Sequence, residues 1–184
     1  MAFFKKRICG GASPARRPGI KEDFPLISDA SFVEEVRQMT PSLYRVSFSL
    51  LRQVYDAQDA VQQALMNAWA ARARVEPERF RPWLMRIVVN ECRNVQRKRM
   101  RMRPSDQLER QGDPCPPPDA ALADALNRLP EKLRLPLLLR YGEGFSEGEV
   151  AAALRLPVST VKGRLHRGRL ALKKEWQHGE EDAQ

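Results

Sequence analysis

Residues Phe145–Lys174 read FSEGEVAAALRLPVSTVKGRLHRGRLALKK and decide the fold of the C-terminal half. Ser146 followed by Glu149 has the form of a capping box, which predicts that a helix begins at Ser146. The apolar pattern of this helix stops at Arg155, and Pro157 suits the first turn of a second helix. In that second helix, apolar residues recur at steps of three or four and predict a buried stripe of Val158, Val161, Leu165, Gly168 and Leu172.

The second helix is strongly cationic, with seven Lys or Arg and no acid between residues 155 and 174. A short capped helix, a tight turn and a cationic second helix are typical of a helix-turn-helix, whose second helix enters the DNA major groove. Arg binds guanine bidentately, and Gly allows the backbone to approach DNA closely. A basic helical hairpin with a solvated face is the plainer alternative. The residues expected to face DNA are Ser159, Thr160, Lys162, Gly163, Arg164 and Arg167.

The composition of the whole chain favours a polyanionic partner. The 184 residues carry 32 Lys and Arg against 23 Asp and Glu, a formal net charge of +9. Three cysteines without a C-x-x-C pair and two histidines predict no metal site, no cofactor and no catalytic constellation. No apolar run is long enough for a membrane span or a signal peptide. We therefore expect a soluble cytoplasmic protein with reduced cysteines. The lack of a catalytic constellation predicts that it is not an enzyme.

The pattern along the chain predicts an all-α protein of two small helical domains joined by a Pro-rich linker. Helical periodicity over residues 29–102 fits four helices, with breaks near Pro41, near Val54 and across residues 76–82. Pro116, Pro117 and Pro118 help mark residues 103–119 as the linker. Helices return over residues 120–177. Residues 1–28 are expected to form a disordered basic tail, and residues 178–184 an acidic tail.

Two segments of the first domain have distinct polar faces. The stretch Asp56–Ala70 places Ala57, Ala60, Val61, Ala64, Leu65 and Ala68 on one side of a helix. Its other side carries Asp59, Gln62, Gln63 and Asn67. Residues 81–103 contain eight Lys or Arg against Glu91 alone. Trp83, Leu84, Ile87, Val88 and Val95 form the expected core stripe of that helix, beside a polar row of Arg86, Asn90, Arg93 and Arg97.

The run Ala125–Lys174 resembles the promoter-binding C-terminal domain of bacterial extracytoplasmic-function (ECF) sigma factors, which reads the −35 element. One departure is Arg155, where the family usually has Gly in the turn. If that turn requires a positive φ, a non-Gly residue costs about 1 kcal/mol.

The resemblance implies roles for the first domain as well. The helix of residues 56–70 would dock on core RNA polymerase through Asp59, Gln62, Gln63 and Asn67, although Gln58 and Gln63 stand where the family commonly has acids. The helix of residues 80–101 would engage the melted −10 element, and the loop before it would capture a flipped base. The −10 contacts so implied are Arg79, Phe80, Arg86, Asn90, Asn94, Arg97 and Lys98.

The implied function is that of an alternative-type sigma factor. Its partners would be core RNA polymerase, promoter DNA and an anti-sigma factor, which is often membrane-bound in this family, with no small-molecule substrate. The competing interpretation is a stand-alone helix-turn-helix transcriptional regulator. A regulator needs a receiver or sensing domain, and the first 100 residues show no alternation of strands and helices.

Overall fold

The computed structural model describes residues 27–102 and 120–181. Every regular element in these two ranges is helical, which confirms the predicted all-α class. The expected linker, most of the basic tail and the last three residues lie outside the described residues. The α-helices are α1 (Asp29–Leu51), α2 (Val54–Ala71), α3 (Phe80–Met102), α4 (Ala120–Arg128), α5 (Glu131–Leu137), α6 (Glu147–Leu154) and α7 (Val158–Glu181).

Helix α1 runs through Pro41, so the predicted break at that residue is wrong. A proline inside a helix removes one hydrogen bond and crowds the preceding turn. The helix continues because Met39 and Leu43, on either side of Pro41, are both buried on the same face. The side chain of Ser28 caps the start of α1 by accepting a hydrogen bond from the backbone N–H of Ser31 at 3.1 Å. Because α1 is continuous through Pro41, the first domain has three α-helices rather than four.

Helices α1, α2 and α3 pack on one another around the core of the first domain. The alanine-rich face of α2 is buried as predicted, and its small side chains allow α3 to approach closely. Leu84 and Val88 of α3 are fully buried, while Trp83 is partly exposed. Cys92 is also buried in this core, and burial raises the pKa of its thiol to about 11. This cysteine therefore acts as a small apolar core residue.

Two short 3₁₀ turns, Arg72–Arg74 and Pro77–Arg79, connect α2 to α3. Val75 lies between them and is buried. The connection is therefore an ordered loop attached to the core, and it holds the start of α3 in a fixed position.

The second domain contains the predicted helix-turn-helix, formed by α6 and α7. The capping box at Ser146 is present: the Ser146 hydroxyl accepts from the N–H of Glu149 at 3.2 Å, and the Glu149 carboxylate accepts from the N–H of Ser146 at 2.8 Å. Val161 and Leu165 are buried in the predicted stripe of α7, but Val158 is 44% exposed and does not belong to it. Helix α7 continues to Glu181, beyond the expected start of the acidic tail.

Gly168 lies where α7 packs against α5. A Cβ atom at this position would lie 3.0 Å from Leu137 Cδ1 and 3.4 Å from the carbonyl oxygen of Leu133. A residue with a Cβ atom would press on Leu137 and would fit only if that side chain moved.

The turn between α6 and α7 requires a positive φ at Arg155, the condition under which a residue other than glycine is strained there. Arg155 ends α6 with φ 54° and ψ 49°, in the left-handed region that disfavours a residue with a Cβ atom. Its N–H still donates to the carbonyl of Ala151, so the cap is formed despite the strain.

Replacing Arg155 by glycine should stabilise the protein, because glycine adopts this conformation without strain. We expect the free energy of unfolding to rise by about 0.5–1 kcal/mol, part of the strain relief being offset by the greater entropy of glycine in the unfolded chain. Chemical denaturation followed by circular dichroism would measure it. Arg155→Ala is the matched control: it removes the same side chain but keeps the Cβ atom, and an equal gain from Arg155→Ala would contradict the explanation.

The two domains contact each other mainly through α3 and α6. Glu143 precedes α6, and its side chain is only 1% exposed. Arg45 of α1 donates to both of its carboxylate oxygens, at 2.8 and 2.6 Å. Beside this ion pair, the guanidinium of Arg81 lies over the ring of the fully buried Phe145, 4.9 Å from its centroid. The interface therefore combines an ion pair, a cation–π contact and apolar packing.

Candidate nucleic-acid interfaces

The first candidate interface is the N-terminal half of α7. Ser159, Lys162 and Arg167 are exposed, while the other three predicted residues, Thr160, Gly163 and Arg164, are half-buried. The Arg167 Nε donates to the carbonyl oxygen of Gly163 at 3.2 Å, which holds this side chain along the helix. Cations and small polar groups thus share one face near a helix N-terminus, an arrangement that suits phosphate and base-edge contacts.

The second candidate interface is the polar row of α3. Asn90, Asn94, Arg97 and Lys98 are exposed, and Arg86 is half-buried. Arg97 donates to the Oδ1 of Asn94 through one guanidinium nitrogen and to the carbonyl of Arg93 through Nε at 3.4 Å. The structure therefore brings together most of the predicted −10 residues on one cationic surface.

One cation of this polar row is already paired within the protein and is not free to bind DNA. Arg93 makes a 3.4 Å ion pair with Glu131 of α5, in the second domain. The contact between the domains therefore occupies one cation within this polar row.

The loop before α3 gives two different outcomes for the two residues predicted there. Arg79 is exposed and pairs with Glu76 at 3.0 Å. Phe80 is completely buried, and its ring packs edge-on against Phe32 at 5.4 Å and tilted against Trp83 at 5.7 Å. Phe80 is thus a core residue that supports the loop from beneath, and its predicted contact with DNA does not fit the structure. The resemblance implied this contact from the position of Phe80 at the start of α3, and position alone does not show that the ring faces the core.

The third candidate interface is the solvent-facing side of α2. The four predicted residues Asp59, Gln62, Gln63 and Asn67 are all exposed. Tyr55 and Met66 lie on the same side, 70% and 66% exposed, and are two residues that the sequence pattern had not singled out. Tyr55, Asp59, Gln62 and Met66 follow one another at steps of four, three and four residues. Helical spacing alone therefore indicates that Tyr55 and Met66 share this face. Large exposed apolar side chains within a polar face are typical of a protein-binding surface.

Helices α2 and α3 form a shared groove between the second and third interfaces. Its walls include Gln63 and Asn67 from α2, and Asn94 and Lys98 from α3. The proposed polymerase face and the proposed −10 face are therefore neighbours, whereas the α7 face belongs to the other domain.

Arg99, which the sequence pattern had not singled out, links the end of α3 to the α1–α2 turn. Its guanidinium forms an ion pair with Asp56 and donates to the Leu51 carbonyl oxygen at 3.0 Å and to the Gln53 side chain at 2.6 Å. Partial burial lowers the pKa of Arg99. These bonds fix where the cationic end of α3 lies relative to the start of α2.

The described parts of the chain contain no group of three or more His, Cys, Asp or Glu arranged to hold a metal ion. Among the same residues, no helix is both long and apolar enough to cross a membrane.

Comparison with known proteins gives a consistent result for both domains. The family model described as Sigma-70 region 2 matches residues 36–102, and the model described as Sigma-70, region 4 matches residues 119–172. The ECF RNA polymerase sigma factor SigE of Mycolicibacterium smegmatis is 32% identical over 156 residues, 78% of this chain and 60% of that relative. The RNA polymerase sigma-E factor of Streptomyces coelicolor is 33% identical over 155 residues, 78% of this chain and 85% of that relative.

A solved structure shares the architecture. The sigma factor RpoE from Bartonella quintana, crystallised with the anti-sigma factor NepR, matches with a TM-score of 0.71 and 29% identity, over 79% of this chain and 96% of that one. Two helical domains, with region 2 and region 4 in this order, define a protein of the sigma-70 class. The chain belongs to the ECF RNA polymerase sigma factors.

Proposed function

We propose that this protein is a specificity subunit that binds core RNA polymerase and directs promoter-specific initiation of transcription. The observation that carries the proposal is the presence of three chemically distinct faces: an amide-rich face on α2, a cationic row on α3 and a cationic helix N-terminus on α7. Each face suits one task, namely docking, holding opened DNA and reading duplex DNA. The protein performs no covalent chemistry and acts in the cytoplasm.

The α7 face reads the −35 duplex in this proposal. Ser159, Thr160, Lys162, Gly163, Arg164 and Arg167 would approach the major groove, with arginine as the base-reading side chain. The helix-turn-helix supports this because its capped first helix and its buried stripe hold the start of α7 at the protein surface.

The surface of α3 and the preceding loop stabilises the opened −10 strand. Unstacking a base costs a few kcal/mol, and stacking and backbone contacts to the exposed strand offset that cost without ATP. Arg79, Arg86, Asn90, Asn94, Arg97 and Lys98 supply these contacts. Phe80 is left out of the contact set because it is buried.

The α2 face docks on core polymerase through Asp59, Gln62, Gln63 and Asn67, and the exposed Tyr55 and Met66 add apolar area to the same contact. An anti-sigma factor is the proposed negative regulator. The support for this partner is that the similar RpoE from Bartonella quintana was solved in complex with one.

Reconstitution tests the proposal. Purified chain is mixed with core RNA polymerase and genomic DNA of its host, binding is measured by size-exclusion chromatography, and transcript 5′ ends are sequenced. We expect a stable complex and initiation at a limited set of promoters that share one −35 and one −10 sequence. A chain that binds DNA but ignores core polymerase would instead be a stand-alone regulator.

Arg164→Ala and Lys173→Ala should separate base reading from phosphate binding. Arg164 lies on the proposed reading face, so its loss should shift the preference among −35 sequences by about ten-fold. Lys173 is exposed farther along α7. Its loss should weaken binding to all DNA sequences equally, and it should reduce the slope of log affinity against log salt concentration by about 1. Fluorescence anisotropy on a panel of duplexes measures both, and an equal loss across the panel for Arg164→Ala would contradict its base-reading role.

A further inference from the structure

Glu91 occupies an unexpected position for a carboxylate, because it is the one acid among the eight cations of residues 81–103. It does not form an ion pair in the structure with any of the cations described there; it accepts hydrogen bonds from two asparagines instead. Its Oε1 accepts from the Nδ2 of Asn67 in α2 at 3.0 Å, and its Oε2 accepts from the Nδ2 of Asn94 in α3 at 3.2 Å.

These two bonds belong to a longer chain of hydrogen bonds. Gln63 donates to the Oδ1 of Asn67 at 3.2 Å, and Arg97 donates to the Oδ1 of Asn94. The chain therefore runs from the proposed polymerase face on α2, through Glu91, to the proposed −10 surface on α3.

The chemistry of Glu91 dictates how these side chains are oriented. An ionised carboxylate only accepts hydrogen bonds, so both asparagines must turn their NH₂ groups toward Glu91. Their carbonyl oxygens then point away from it and are available to accept from Gln63 and Arg97. One carboxylate thus fixes both amide orientations and, through Asn94, the guanidinium of Arg97.

We propose, building on the function proposed above, that Glu91 is a positioning residue for the opened −10 strand. It holds Asn94 and Arg97 in the orientation that contacts DNA, and it anchors them to the helix that docks on polymerase. Glu91 itself does not contact DNA, since a carboxylate repels phosphate.

The proposal can be tested sharply because the effect of charge alone has the opposite sign. Glu91→Gln removes a negative charge from a DNA-binding surface, and by electrostatics alone this tightens DNA binding. A glutamine, however, has one carbonyl oxygen and cannot accept from both asparagines at separate oxygens. If Asn94 reverses its amide to compensate, it presents NH₂ to Arg97, which also only donates. If Glu91 positions these side chains, Glu91→Gln should weaken DNA binding. If only its charge matters, the same change should strengthen DNA binding.

The experiment uses holoenzyme assembled from core polymerase and the full chain. The probe is a single-stranded DNA oligonucleotide that wild-type holoenzyme has selected from a random pool. We expect Glu91→Gln to weaken binding of this oligonucleotide about ten-fold, the size of one lost charge-assisted hydrogen bond. Affinity for a −35 duplex and the thermal unfolding midpoint should change little. Glu35→Gln on α1 is the matched control: it removes one negative charge outside this chain of hydrogen bonds and should not weaken binding.

A double-mutant cycle measures whether the effects of Glu91→Gln and Asn94→Ala on DNA binding are coupled. A general loss of stability would not produce such coupling. If Glu91 acts through Asn94, then Glu91→Gln combined with Asn94→Ala should weaken binding no more than Asn94→Ala alone. Additive effects, or unchanged or tighter binding by Glu91→Gln, would overturn the positioning role while leaving the sigma-factor function intact. Failure of wild-type chain to bind core polymerase would overturn the proposed function and the positioning role together, so the two failures are distinguishable.

Discussion

Phe80→Ala is expected to lower the free energy of unfolding by about 3–5 kcal/mol. The ring is 0% exposed and packs against Phe32 and Trp83, so alanine leaves a cavity in the core of the first domain. Urea denaturation followed by tryptophan fluorescence is the measurement, because Trp83 lies beside the cavity.

Two control variants test whether the loss of stability comes from the cavity left by the buried ring. Tyr55→Ala removes an aromatic ring that is mostly exposed, and its effect on stability should be within about 0.5 kcal/mol. Phe80→Leu refills much of the volume and should recover most of the lost stability. Should Phe80→Ala leave stability intact and weaken only the binding of −10 DNA, the side chain would be a DNA contact after all.

Arg45→Ala is expected to lower the free energy of unfolding by about 3 kcal/mol at neutral pH. The change leaves the Glu143 carboxylate buried without its cation, and removing one partner of a buried ion pair is strongly destabilising. The reverse change, Glu143→Ala, should cost only about 1 kcal/mol, because the Arg45 side chain is already 57% exposed and stays hydrated. Chemical denaturation of both variants measures the asymmetry.

A surface ion pair provides the control for this prediction. Arg37 pairs with Glu34 at 2.8 Å on the exposed side of α1, and Arg37→Ala should change stability by less than about 0.5 kcal/mol. Equal costs for Arg45→Ala and Arg37→Ala would show that water reaches Glu143 and that the contact between the domains is weak.

Local signals in the sequence predicted local structure well. The capping box at Ser146 and the alanine face of α2 each depend on residues within a few positions of one another, and the structure shows both. The polar faces of α2, α3 and α7 followed from the same helical spacing, which is why most of the proposed contact residues are exposed.

The misses have physical causes that a single sequence does not reveal. Pro41 is tolerated because the flanking residues Met39 and Leu43 are buried by other helices. Val158 fits the spacing of the α7 stripe, but it lies in the first turn, where the neighbouring helices do not cover it. Arg45 and Glu143 are 98 residues apart, and only the contact between the domains makes them partners.

The absence of a side chain at Gly168 has a consequence for how the proposed −35-reading helix is held in its domain. Because a Cβ atom at this position would stand 3.0 Å from a Leu137 methyl and 3.4 Å from the Leu133 carbonyl oxygen, the backbone of α7 lies close to α5 here. Under the proposed function, a larger residue that pushed α7 away from α5 would change the angle at which α7 meets the duplex. Sequence preference should then depend on this packing contact as well as on the side chains that project from α7.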